Sequence, residues 1–453
     1  MIAAIYVGSI MINNLEETPR LAVKRPRTAH YKMILGGSIG HFIEWYEFSI
    51  YGFMGGILAA QMFPSSDPTV SLIASFTAFA IGFLGRPIGA IVLSPLCDKF
   101  GRRKLLSATI LMAGIGSFLI GICPPYSKIG IFAPLIIAFS RIIQGFSAGG
   151  EFQIAIAFIN EHVKGRNRAF SASPQNICIG LGILSASAVG GLTTHFVPAG
   201  ALETWGWRIP FLLGAVLSLY GLFARRELGE TPEFKKMGDR RHVGILSILG
   251  SLAKYPRQML IVFIVEMNVV QYVLYLVFLP TYAHMVGGFD RTLGLTASVM
   301  ASLLFCVAVP AFAYLSDRVG RKPLFISAAV LSILLTYPLL SVLKENPSFL
   351  EFLGVAIAGS MFVALTNSVF ATTLAEIFPT EVRATGIGIP YAISVAVFGG
   401  TTPLVITWLQ KFNGVLAVSL YIIMISMISL LCYVWLLPET RERSLGSEVD
   451  IKR

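Results

Sequence analysis

Asp98-Lys99-Phe100-Gly101-Arg102-Arg103-Lys104 is a short basic loop between two long apolar runs. It returns almost letter for letter as Asp317-Arg318-Val319-Gly320-Arg321-Lys322, about half of the 453-residue chain later. A charged hairpin repeated at that spacing predicts two homologous membrane bundles related as a parallel internal repeat.

The residues around the two loops support this. Hydrophobic residues make up 55% of the chain and charged residues 13%, with a mean hydropathy of +0.74. Soluble domains carry roughly a quarter charged residues, so a soluble fold is excluded. Apolar runs of roughly 20 residues, the length that spans a bilayer core, predict twelve helices. They fall near 33–60, 71–96, 105–123, 131–160, 169–194, 206–224, 257–285, 293–315, 323–343, 350–376, 383–409 and 414–437. An alternating outer-membrane barrel pattern is absent. The expected class is therefore an all-α membrane protein of twelve transmembrane helices in two pseudo-symmetric six-helix bundles.

The polar interval 225–256 reads as a linker. It divides a tail (1–30) and an N-terminal bundle (31–224) from a C-terminal bundle (257–437) and a short tail (438–453). The net charge of +11 is explained by topology. If the N-terminus is cytoplasmic, 28 of the 35 Lys and Arg fall on that side, which leaves only Lys128, Arg291, Lys344 and Lys411 opposite. The positive-inside rule then places both termini in the cytoplasm of an inner-membrane protein and removes the argument for nucleic acid. The bilayer is the expected surrounding, with the protein as a monomer. The five cysteines are scattered without metal or redox spacing. No phosphate-binding G-x-x-x-x-G-K-[ST] loop and no G-x-S-x-G nucleophile is present. No metal, cofactor or enzymatic activity is expected.

Three basic side chains fall inside predicted helices, Arg86, Arg141 and Arg208, together with the acids Glu44, Glu47, Glu151 and Glu266. An Arg at mid-bilayer costs roughly 2.5–3.5 kcal/mol on insertion scales and so faces a partner or water. Arg141, Gln144, Ala148 and Glu151 share one helical face, as do Glu44 and Glu47. Asn268, Tyr272 and Tyr275 form a face of the seventh helix that suits a cation through its aromatic rings. Glu266 lies opposite Tyr275 by helical phase. A straight helix cannot turn both into one cavity, so Glu266 is expected to pair elsewhere.

The repeated loop resembles the signature that follows the second and eighth helices of the major facilitator superfamily, with Ser94 and Ala313 in place of the leading Gly. Gly40-His41-Phe42-Ile43-Glu44-Trp45-Tyr46-Glu47-Phe48 narrows the likeness to the metabolite:proton symporters, carriers of proline and betaine, citrate, 2-oxoglutarate and shikimate. Gly85-Arg86-Pro87-Ile88-Gly89, the run Arg141 to Glu151, Trp205 to Phe211, Glu376-Ile377-Phe378-Pro379 with Arg383, and Phe398 to Pro403 resemble the same branch.

The resemblance implies proton symport of a small polar metabolite, a proline- or betaine-like zwitterion or an organic carboxylate, by alternating access. The proton gradient then serves as the energy source. Glu47 with Arg141 is the expected coupling pair, with Glu44 and Glu151 beside it. Arg86, Arg208, Gln144, Asn268, Tyr272, Tyr275, Asn367 and Tyr391 are the candidate substrate contacts. Asp98, Arg102, Asp317, Arg321, Glu376 and Arg383 form the expected cytoplasmic gate. The rival reading is a non-transporting nutrient sensor on the same scaffold. Such sensors carry a long soluble tail, whereas the segment after Pro438 is short.

Overall fold

The computed structural model describes the backbone over 27–100, 102–162, 168–226, 253–344, 346–378 and 383–441. It describes side chains over 38–93, 96, 104–152, 168–225, 253–344, 346–378 and 386–441. Among the described residues twelve long helical segments follow one another, with short helical turns between some of them: α1 Arg27–Met62, α2 Pro68–Phe100, α3 Arg102–Ile122, α4 Phe132–His162, α5 Arg168–Phe196 and α6 Arg208–Arg226 make the first six. The second set begins with α7, a composite of Pro256–Glu266, Val269–Tyr272, Val273–Phe278 and Leu279–Gly287. It continues with α8 Arg291–Val319, α9 Lys322–Ser341, α10 Phe349–Ile377, α11 (383–413) and α12 (414–436).

Among the described residues, ten stretches are long and apolar enough to cross a membrane. One of them, Gly386–Leu436, covers both α11 and α12: the helix breaks at Asn413 and at Gly414, whose φ of 56° lies in the left-handed region that glycine tolerates. The segment outside the ten, α1, carries Glu44, Glu47 and the hydroxyls of Tyr46 and Tyr51 on faces turned inward, which lowers its hydropathy. Large apolar side chains such as Leu84, Phe139, Tyr220, Val307, Leu334 and Trp435 remain exposed around the outside. That belt needs an apolar solvent. The chain is a multi-pass membrane protein.

Glycine sets the closest helix contact. A Cβ at Gly145 would lie 1.5 Å from the Gly82 carbonyl oxygen, and one at Gly149 would lie 2.0 Å from that of Arg86. α2 and α4 therefore touch backbone to backbone, as small residues permit in membranes.

Proline shapes α7. Pro280 has no N–H to give the carbonyl four residues back, and the π-helical turn Val273–Phe278 precedes it. The helix also breaks at Met267 and Asn268, between Glu266 and Val269. α11 repeats the device, with a π-turn at Val395–Gly399 ahead of Pro403. Some helix starts carry a side-chain cap: Asp290 accepts from the Leu293 N–H on α8, and Ser348 with Glu351 forms a reciprocal capping box on α10.

α6 runs through Arg225, which is buried. The sequence reading assigned that residue to the linker because it directly follows the apolar run. Segment 227–252 of the expected linker (225–256) lies outside the described residues, and α7 already begins at Pro256.

Candidate substrate and proton site

Where the halves meet, a cavity is lined from α1 by Trp45, from α4 by Phe152 and from α5 by Gln175 and Asn176. The second half contributes Glu266, Asn268, Gln271 and Tyr272 of α7, Thr366, Asn367 and Phe370 of α10, and Tyr391 of α11. Two aromatic pairs join the halves around it. Trp45 packs on Tyr272 with centroids 4.5 Å apart, and Phe152 stacks on Tyr391 at 3.9 Å. Polar contacts hold the lining in place. The Asn268 amide donates to Ser429 (3.0 Å) and Tyr433 (2.6 Å), Gln271 to Ser426 (2.9 Å), and Asn176 crosses to the Asn367 carbonyl (2.9 Å).

Four expected substrate contacts meet here: Asn268, Tyr272, Asn367 and Tyr391. Four do not. Tyr275 packs against Gly359 and Phe362 and reaches Thr336 at 3.4 Å. Arg208 sits at the start of α6, bonded to the carbonyls of Thr204 and Cys123 and stacked on Trp207, remote from the cavity. That is the placement of an interfacial arginine whose charge reaches past the apolar zone. Arg86 and Gln144 belong to the charge network of the first half.

Glu266 is the reverse case. The phase argument holds, since Glu266 and Tyr275 do not share the cavity, but the carboxylate is the one that faces it. The break at Met267–Asn268 lets Glu266, Asn268 and Tyr272 line one space, which a straight helix forbids.

Beside the cavity, the first six helices bury three carboxylates around a small cleft that Gln144 also lines. Glu44 is paired with Arg86 at 2.7 Å, and the guanidinium lies over the rings of Phe48 and Phe83. Glu151 is paired with Arg225 and accepts from Thr109 at 3.0 Å. Gly40 makes room for that pair, for a Cβ there would overlap the Glu151 carboxylate.

Glu47 accepts from Ser218 at 3.1 Å and from the Gln144 amide at 3.4 Å. Arg141 donates to Gln144 at 2.8 Å and is enclosed by the rings of Phe48, Tyr51 and Phe79. The expected direct Glu47–Arg141 ion pair is thus replaced by a bridge through Gln144. Among the described residues no carboxylate lies within ion-pair distance of Arg141.

At the end of the bundle that carries the repeated loops, Asp317 accepts from the backbone N–H groups of Ala169 (3.3 Å) and Phe170 (3.0 Å). It thereby caps the N-terminus of α5 in the other half. Arg321 bonds Asp317 at 2.6 Å and reaches Glu376 at 3.5 Å. Glu376 also faces Arg168 at 3.6 Å and accepts from Thr440 at 2.6 Å. Glu439 accepts from the N–H groups of Arg321 and Lys322 that open α9. Partial burial would raise its pKa, but backbone N–H donors from Arg321, Lys322, Arg441 and Thr440 outweigh that and hold it low.

Asp317, Arg321 and Glu376, three of the six residues expected at the gate, therefore meet in one cluster. The side chains of Asp98, Arg102 and Arg383 lie outside the described residues. At the opposite end the halves meet again, through Lys411 and Asp67 at 3.1 Å and Thr292 and Thr194 at 3.2 Å.

Sequence reasoning did not single out Arg168, Gln271, Glu439 or Thr440. For Gln271, a lone amide in the apolar run Val269–Phe278 was the available signal. The others act across loops, where no periodicity applies.

Residues 33–244 match the family model described as "Sugar (and other) transporter", and residues 288–450 match "Major Facilitator Superfamily". A citrate-proton symporter of Klebsiella pneumoniae is 34% identical over 84% of this chain and 86% of its own. A putative proline/betaine transporter of Staphylococcus haemolyticus is 34% identical over 93% and 91%. The proline/betaine transporter of Escherichia coli K12 is 32% identical over 91% and 84%. The crystal structure of a D-xylose-proton symporter superposes with a TM-score of 0.73 at 18% identity, over 92% of this chain and all of that one; at such identity the likeness shows the fold alone. The fold, the two family models and relatives above 30% identity over most of the chain agree: this protein belongs to the major facilitator superfamily, among its metabolite:proton symporters.

Proposed function

We propose that the protein carries a small polar metabolite into the cell together with protons, by alternating access of the central cavity to the two sides of the inner membrane. The observation that supports this best is the separation of two polar systems. The cavity between the halves is walled by amides, aromatic rings and one carboxylate, while Glu44, Glu47 and Glu151 lie in a buried network within the first half. Substrate and proton then have different seats that the same rocking motion exposes.

Glu47 is the proton site in this reading. Ionised, it holds Gln144, and through it Arg141. Protonated, it loses its hold on the amide and frees Arg141 to shift, so occupancy by a proton biases which end of the bundle opens. Glu44 with Arg86 fixes α1 against α2, and Glu151 with Arg225 fixes α4 against α6. The contacts of Asp317, Arg321, Glu376 and Arg168 form the cytoplasmic gate, and both termini face the cytoplasm, as the excess of Lys and Arg on that side supports. One charge moved through 100 mV supplies about 2.3 kcal/mol, roughly a fifty-fold concentration ratio. The protein works as a monomer in the bilayer without a cofactor.

Purified protein in liposomes tests this. An inward proton gradient should drive accumulation of a radiolabelled zwitterion or carboxylate, and a protonophore should abolish it. Specific binding without flux in either direction would favour a sensor instead.

A further inference from the structure

We infer that Glu266 is the residue by which this carrier selects its cargo, and that the cargo is a zwitterion bearing a cationic nitrogen rather than a polyanion. The inference rests on the carrier reading and sharpens it.

Its warrant is the charge of the cavity. Glu266 lines it, and among the described residues no Lys, Arg or His does. Among the described residues Glu266 forms no ion pair, whereas Glu44, Glu151 and Glu376 each have an Arg partner. Arg86, the nearest strong cation, is already held by Glu44. A buried ionised carboxylate among aromatic and amide side chains is costly unless a cation or a proton joins it, and a ligand with several carboxylates would add repulsion.

The rest of the wall suits the same ligand. Trp45, Tyr272, Phe152 and Tyr391 present aromatic rings, whose faces attract an alkylated ammonium. Among the described residues the buried Tyr272 hydroxyl has no hydrogen-bond partner, nor has the Gln175 carbonyl oxygen. The first can donate to a ligand carboxylate, and the second can accept from a ligand N–H. A cationic nitrogen against Glu266 and the rings, with its carboxylate on Tyr272, fills both needs at once.

The test compares wild type, Glu266→Gln and Glu266→Asp in liposomes with glycine betaine, proline and citrate, alongside thermal shift in detergent. Wild type should bind and carry a zwitterion and leave citrate untouched. Glu266→Gln should raise the KM for the zwitterion about tenfold or more, abolish its thermal stabilisation and keep the unliganded melting temperature. Glu266→Asp should recover part of the affinity.

Carriage of citrate in place of the zwitterions would overturn the inference and leave the carrier reading intact. An unchanged zwitterion KM in Glu266→Gln would also overturn it, including the case where only uphill accumulation is lost, which would make Glu266 a proton site. Zwitterion binding by wild type with no flux would sink the carrier reading. The binding data on the variants would then still decide the role of Glu266.

Discussion

Gln144 stands between Glu47 and Arg141: its amide nitrogen gives a 3.4 Å bond to the carboxylate, and its oxygen takes a 2.8 Å bond from the guanidinium. A neutral amide thus links an acid and a base that lie 94 residues apart in sequence and on different helices. Such a bridge transmits the charge state of one partner to the other while keeping them from locking into a permanent ion pair.

Gln144→Leu removes both bonds in a buried setting, together with the 2.9 Å bond that the amide gives Ser117. Each polar group left without a partner costs about 1–3 kcal/mol, more when charged. A clear drop in melting temperature is expected, with uphill uptake more affected than exchange. A variant as stable as wild type would show that the bridge carries no weight.

The latch can be tested from inside the cavity. Asp317→Asn weakens both the cap on α5 and the buried bond to Arg321, and breaking a buried charge pair costs about 3–5 kcal/mol. In a cysteine-free background, a cysteine at Asn176 should react several-fold faster with a membrane-impermeant maleimide, applied from the side of the repeated loops, once Asp317 is changed. Equal rates would mean that Asp317 does not hold that end closed.

Glu439 gives a pH signature. Its carboxyl is held below the ordinary value, so its stabilising effect is complete above the unfolded pKa, about 4.3, and fades as pH falls through the lower folded value. Glu439→Gln should lower the melting temperature at neutral pH, and the gap to wild type should close in acid. A gap that stays constant with pH would assign the loss to packing.

Gly145 offers the sharpest steric test. Even Gly145→Ala places a methyl 1.5 Å from the Gly82 carbonyl oxygen, against backbone that cannot step aside. Separation of α2 from α4 should strongly reduce folded protein in the membrane, whereas Gly354→Ala, with open space around it, should be neutral. Normal yield of Gly145→Ala would contradict the backbone contact.

The sequence showed the helices plainly because a bilayer imposes one period, one length and one polarity on all of them. The break predicted between 409 and 414 falls where Asn413 and Gly414 leave helical geometry. Pairings were less legible. Glu44 with Arg86 depends on how α1 and α2 are rotated toward each other, which no single helix's pattern states, and Arg225 looked like linker because hydropathy does not reveal that a charge has a buried partner. The course of α7 was hidden as well, because a helix broken at Met267–Asn268 redirects Glu266 in a way that regular periodicity cannot express.

The most direct test of proton coupling is Glu47→Gln in liposomes, read in two modes. Uphill accumulation driven by a proton gradient should be lost, while exchange of preloaded against external substrate should continue near the wild-type rate. Gradient-driven accumulation at the wild-type level in Glu47→Gln would contradict the assignment of Glu47 as the proton site.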